Sequence, residues 1–167
     1  GADMINDISG GLLDMAMAET VAALQVPFVV MHMRGTPQTM QNDLYYSNFL
    51  NDIIHSLSQS INRLLIAGVS DIIIDPGFGF SKSIEQNFFL LRHLHVFHIF
   101  EVPLLVGLSR KSMIYKTLQC NATNALQGSM IVEFAALLHK ADILRVHDVK
   151  ETHDVLKLAA AYSHANA

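Results

Sequence analysis

With 167 residues, 51% of them hydrophobic and a mean hydropathy of +0.32, the chain can bury an ordinary globular core and is too apolar for disorder. Charged residues make up 16%, the formal net charge is -4 and the isoelectric point is about 6.1, so no basic surface points to nucleic acid or an anionic membrane, and small-molecule partners are expected. The single cysteine, Cys120, has no mate for an internal disulfide, and neither a leader-type start nor an apolar run of about 18 residues stands out, so a cytoplasmic protein without a membrane span is expected.

Short apolar runs alternate with longer stretches of helical period, the pattern of βα units around a parallel sheet. Met4-Ile5 predicts a first strand and Phe28 to Met31 a second. Met40, Leu44, Ile53, Leu57, Ile61, Leu64 and Leu65 then trace a helical stripe that stops at Gly68, a residue suited to a left-handed C-cap. Ile72 to Ile74 predicts the third strand, and Ser83 with Gln86 three residues on forms a capping-box pattern ahead of Phe88, Phe89, Leu90 and Leu91. Leu104 to Val106 and Ile143 to Val146 read as the fourth and fifth strands. Helices are expected from Ser112-Met113-Ile114, along Leu126, Met130, Phe134, Leu137 and Leu138, and along Val155, Leu156 and Ala159. No linker or repeat divides the chain, so residues 1–167 are expected to form one domain.

Polar or glycine-rich motifs recur directly after the strands: Asn6-Asp7, residues 32 to 35, residues 75 to 80, residues 107 to 112 and residues 145 to 148. In a parallel α/β barrel the C-terminal strand ends open onto one face, which brings such motifs together. Closing a barrel takes about eight strands, so five imply an incomplete barrel or an open sheet with two edges that need cover.

Each motif carries a bland reading beside a functional one. Asp75-Pro-Gly is a turn former by composition, yet a carboxylate at a strand end can also accept paired hydrogen bonds from a planar amino-amide edge such as that of a 2-amino-4-oxo pyrimidine. Gly77 and Gly79 permit close backbone approach to a flat ligand, and Phe78 or Phe80 can wall it, although core packing suits Phe78. Lys111 and Ser112 stand where a strand passes into a helix start, which is either a carboxylate or phosphate site or a solvated basic turn. Alternation in Arg145-Val-His147 aims both polar side chains to one side, where they clamp phosphate oxygens or, in the competing reading, form a salt bridge with Asp148. Asn6 is a ligand-binding amide or a satisfied core amide, His32 reads as a hydrogen-bonded core histidine, and the spacing of His93, His95 and His98 on a helix suits no metal cage.

Together, Ile5-Asn-Asp-Ile-Ser-Gly-Gly11, Met31-His-Met-Arg-Gly-Thr36, Asp75-Pro-Gly-Phe-Gly-Phe-Ser-Lys82, Leu108-Ser-Arg-Lys-Ser112 and Leu144-Arg-Val-His-Asp-Val149 resemble dihydropteroate synthase in the order and spacing of its motifs. The resemblance covers essentially the whole chain, from the family's fourth barrel strand to its last helix, and implies a TIM (β/α)8 barrel of the pterin-binding type, here incomplete with about five βα units. It implies that Asn6, Asp75, Gly107, Lys111 and Arg145 bind the pterin. Phe80, Lys111 and Ser112 would line the p-aminobenzoate site, and Arg145 and His147 would meet the diphosphate. Lys111, Arg145 and His147 are then the residues nearest the chemistry, which condenses a hydroxymethyl-dihydropterin pyrophosphate with p-aminobenzoate. The resemblance further implies Mg²⁺ carried by the diphosphate, with its protein ligand in a front part that this chain lacks, sulfonamide mimicry of the arylamine, and a homodimer. Two rivals remain open: a methyltransferase barrel that binds a pterin through a similar Asn and Asp, and a non-catalytic half-barrel.

Overall fold

The computed structural model describes residues 1–40 and 44–165. Runs of β-branched and aliphatic residues give five strands, β1 (Ile5–Asp7), β2 (Phe28–Met31), β3 (Ile72–Asp75), β4 (Leu105–Val106) and β5 (Ile143–Leu144). Helices α1 (Met17–Leu24), α2 (Phe49–Ile66), α3 (Ile84–Arg92), α4 (Ser112–Thr117), α5 (Leu126–Leu138) and α6 (Val149–His164) follow them in turn. Every recorded strand pair is parallel, in the order β1-β2-β3 and β4-β5, and a bridge between Ile74 and Leu104 joins the two groups. Among the described residues, no helix is long and apolar enough to cross a membrane.

Strand alternation decides which side chain faces what. Phe28, Val30, Ile72, Ile74, Leu104 and Val106 enter one large apolar cluster with helical residues such as Ile53, Leu57, Leu64 and Leu90. The alternate residues Val29, Ile73 and Leu105 form a second cluster against Ile143, on the face away from the helices. Asn6 lies level with Val29 and Ile73 in the register, and Asp75 lies level with Met31. Two residues beyond Ile73, Leu105 and Ile143 on that same face come Asp75, Gly107 and Arg145, so the period of two delivers them to one rim.

Several boundaries differ from the sequence reading. The first strand runs through Asp7, so Asn6 sits inside it and is exposed. The fifth strand stops at Leu144; its ladder continues only through the Arg145 amide, which donates to the Val106 carbonyl at 2.9 Å. The long helix starts at Phe49, well after Met40 and Leu44. Asn48 caps it by accepting from the Asn51 amide, and the Asp52 carboxylate binds the Ser47 and Asn48 amides. Met40 instead closes a turn with Thr36; the part of the expected stripe between Met40 and Leu44 lies outside the described residues. Leu94–Phe100 is a 3-10 segment, so His95 and His98 stand on no α-helix. Helix α1 escaped the reading because only Ala18 and Val21 of it are buried, too few for a stripe.

Candidate active site

Asp75 ends β3 with its side chain 1% exposed, and both oxygens are used: Oδ1 accepts from the Gly77 amide and Oδ2 from Arg145 Nη2, each at 2.8 Å. A buried carboxylate needs such donors, because desolvation without them costs more than folding can spare. The loop that follows folds tightly over it. Gly77 takes φ +76, and a Cβ there would lie 2.0 Å from the His32 carbonyl oxygen, so only glycine fits. Phe78 is fully buried in the core, as its bland reading has it, while Phe80 is half-buried at the rim.

Three cations surround this carboxylate. Arg145, just past β5, donates Nη1 to Asn6 Oδ1 at 2.7 Å as well as Nη2 to Asp75. Its guanidinium lies against Gly107, where a Cβ would come within 2.6 Å of Nη2. Lys111, at the N-cap of α4, donates Nζ to the Phe78 carbonyl and stands 5.0 Å from the centre of the Phe80 ring. Burial lowers its pKa to about 8, opposed by the Asp75 charge and assisted by Arg145. Asn6, Asp75, Lys111 and Arg145 therefore meet at one place at the carboxyl ends of the strands.

Lys82 is the third cation and the one that the sequence reading missed, since it carried no assignment within its motif. It is buried, and its ammonium makes three hydrogen bonds, to the Gly77 carbonyl at 3.0 Å, the Phe80 carbonyl at 3.0 Å and His32 Nδ1 at 2.9 Å. Burial brings its pKa down to about 7; Asp75 pulls it back up and Lys111 and Arg34 push it down. The pKa of His32 is held at about 2 by burial and by the charges of Lys82 and Arg34, so it stays neutral, and its Nδ1 accepts a hydrogen bond from the Lys82 ammonium. His32 is thus the hydrogen-bonded core histidine expected. No local sequence signal separates Lys82 from a surface lysine; only the strand order places it beneath the loop.

The remaining candidates divide. Asp148 pairs with Arg110, not with Arg145: Arg110 Nε and Nη2 each reach the carboxylate at 2.8 Å, while Nη1 donates to the Ala122 and Thr123 carbonyls. Arg110 adopts φ +56, which turns it away from its neighbour Lys111. His147 is exposed and bonds Ser109 Oγ through Nδ1 at 3.1 Å; its recorded contacts do not join it to the Asp75 cluster. Ser112 opens α4, a helix of six residues. Among the described residues no cluster of three or more His, Cys, Asp or Glu could hold a metal ion. Chemically, the site offers a fixed acceptor pair to a flat N–H-bearing heterocycle, glycine backbone for it to rest on, and cations for an anionic group.

The family described as pterin binding enzyme matches residues 1–147. The dihydropteroate synthase of Haemophilus influenzae is 41% identical over 167 residues, covering 99% of this chain and 60% of that protein. A Yersinia pestis dihydropteroate synthase crystallised with a sulfonamide drug superposes with a TM-score of 0.95 at 40% identity, over 99% of this chain and 60% of that one. The Thermus thermophilus dihydropteroate synthase in complex with 4-aminobenzoate gives a TM-score of 0.91 at 36% identity, over 96% and 63%. The chain spans about three fifths of the length of these relatives. A family match over residues 1–147 means that the chain belongs to the pterin binding enzyme family.

Proposed function

We propose that this chain is the C-terminal part of a dihydropteroate synthase, and that the barrel is closed by further parallel strands beside β1 and β5. The observation that carries the reading is the convergence onto one rim of Asn6 from β1, Asp75 at the end of β3, Lys111 at the N-cap of α4 and Arg145 just past β5. The relatives named dihydropteroate synthase, among them one bound to 4-aminobenzoate and one to a sulfonamide, support the assignment of substrates.

In this reading Asp75 and Asn6 accept hydrogen bonds from the pterin, Gly107 gives it a flat bed, and Lys111 meets its carbonyl side. Phe80, Lys111 and Ser112 border the p-aminobenzoate. The C–O bond to the diphosphate breaks with its electron pair leaving on oxygen, the arylamine nitrogen attacks the methylene carbon, and the nitrogen then loses a proton. Breaking the C–O bond is the costly step. Arg145 and His147 assist it by taking up charge on the departing diphosphate. Lys111, with its pKa near 8, is mostly cationic at neutral pH and adds to that field. Mg²⁺ carried on the substrate diphosphate belongs to the same reading and rests on the resemblance; among the described residues no group of three or more His, Cys, Asp or Glu could hold the ion. A homodimer belongs to the same reading; Met130, Ile131, Phe134, Val155 and Leu158 line an apolar groove between α5 and α6.

The test is turnover of the full-length protein with dihydropterin pyrophosphate and p-aminobenzoate, followed by chromatography of dihydropteroate. Asp75→Asn keeps the shape but loses the charged acceptor, and kcat/KM should fall roughly 100-fold. The 167-residue chain alone, which spans three fifths of its relatives, should give little turnover. Diphosphate-independent pterin binding with no dihydropteroate formed would instead favour the methyltransferase-type barrel.

A further inference from the structure

Asp148 stands at the N-cap of α6, where an aspartate ordinarily turns its carboxylate back onto the first free amides of its own helix, yet it makes no such bond. Both of its oxygens go instead to Arg110 on another loop, Oδ2 to Nε and Oδ1 to Nη2, each at 2.8 Å. Arg110 is bent to suit: it holds φ +56, a left-handed backbone that a residue with a side chain adopts at a cost. Its Nη1 also donates to the Ala122 and Thr123 carbonyls at 3.0 and 2.8 Å, and its amide to Ser129 Oγ at 2.9 Å. One residue back on each loop a second tie runs in parallel, between the buried Ser109 Oγ and His147 Nδ1 at 3.1 Å. Two local preferences, a helix cap and a relaxed backbone, thus give way to one long-range ion pair, and such conflicts between local and global order gather at functional sites.

We propose that Arg110 and Asp148 are positioning residues for the transfer reaction: their ion pair locks the loop that carries Lys111 and Ser112 to the loop that carries Arg145 and His147, and so sets where the arylamine nitrogen meets the carbon that the diphosphate leaves. This rests on the synthase reading, in which the first loop borders the p-aminobenzoate and the second meets the diphosphate. The recorded bonds of Arg110 and Asp148 are spent away from the Asp75 cluster, so both act through their neighbours. The pterin keeps Asn6 and Asp75, on β1 and β3, whether or not the two loops are locked, and each of the other substrate groups keeps its own loop. What the lock governs is the distance between them, and rate depends on that distance far more steeply than affinity does: a misplacement of about 1 Å costs up to roughly 100-fold in rate. Loss of the ion pair therefore acts on kcat and leaves the KM of either substrate nearly unchanged. Arginine suits the task because its planar fork meets both carboxylate oxygens at once and fixes direction as well as distance.

The test uses steady-state kinetics of the full-length protein and variants that separate helix capping from the loop lock. Asparagine and serine cap helices about as well as aspartate, but only Asp148→Asn keeps an acceptor oxygen at the reach of Arg110. The side chains of Arg110 and Asp148 are 24% and 20% exposed, so water takes up the group left unpaired and the variants are expected to fold. Asp148→Ser should lower kcat roughly tenfold and Asp148→Asn roughly threefold, with the KM of dihydropterin pyrophosphate and of p-aminobenzoate each moving less than about twofold. Arg110→Lys keeps the charge, loses the fork and should resemble Asp148→Ser. Combined, the two should be no slower than the slower one alone, since a single interaction is removed only once. Wild-type kcat in folded Asp148→Ser or Arg110→Lys, or equal losses in Asp148→Asn and Asp148→Ser, overturns the proposal. So do KM effects as large as those on kcat, or additive losses in the double variant. In each of these cases wild-type turnover leaves the synthase reading standing, whereas a wild type that forms no dihydropteroate overturns that reading and this proposal together. Urea denaturation shows which variants are folded. If Asp148→Ser is not, Asp148→Asn and Arg110→Lys decide by the same split between kcat and KM; if none is, the pair is a requirement of the fold and the proposal falls.

Discussion

The sharpest constraint falls on single residues of the loop after β3. Gly77→Ala would force a Cβ to within 2.0 Å of the His32 carbonyl oxygen at φ +76, and the variant should lose about 2–4 kcal/mol of stability in urea denaturation. His32 sets a pH dependence. Its native pKa of about 2 lies below the ordinary 6.5, so the unfolded chain takes up a proton that the native state refuses. That part of the stability is present above pH 6.5 and is lost as pH falls below it. Between pH 7 and 4.5 the thermal midpoint of wild type should therefore drop further than that of His32→Asn. Lys82 works in the other window: its native pKa near 7 against an ordinary 10.5 makes its contribution grow as pH rises from 7 to 10.5. The positions of Asp75, Lys111 and Arg145 at strand ends were legible because alternation and punctuation are local. Lys82 was not, since its three partners are fixed by the packing of one loop upon another.

Among the elements, α3 shows how far local chemistry reaches. Ser83 accepts from the Gln86 amide and Gln86 Oε1 accepts from the Ser83 amide, the full reciprocal cap. Ser83→Ala should cost about 1 kcal/mol in chemical denaturation. This cap was readable because its residues are neighbours in sequence. The true start of α2 was hidden, as an apolar period carried on upstream of Asn48 while the cap chemistry lay in Asn48 and Asp52, two residues with no distinctive spacing. The shortness of β5 was equally illegible: Arg145 and Val146 continue the alternation, but their strand ends where the chain turns toward Asp148 and Arg110.

At the scale of the whole molecule, the parallel pairing of the five strands followed from the alternation of apolar runs and helical periods, whereas their grouping as β1-β2-β3 and β4-β5 has no mark in the sequence. The groove of α5 and α6 makes an assembly prediction: Ile131, 69% exposed, and Leu158, 65% exposed, should anchor a dimer. Ile131→Glu with Leu158→Glu is expected to shift the full-length protein to monomer in sedimentation velocity. The Lys82 ammonium, finally, does more than fill its cavity. It binds His32 of the segment after β2 to two carbonyls of the segment after β3, and Ser81 Oγ accepts from the Arg34 amide and donates to the Arg34 carbonyl across the same seam. Two stretches of backbone that are separate in sequence are thus riveted into one plate. Amide exchange at Arg34 and Gly79 should slow in concert when ligand binds.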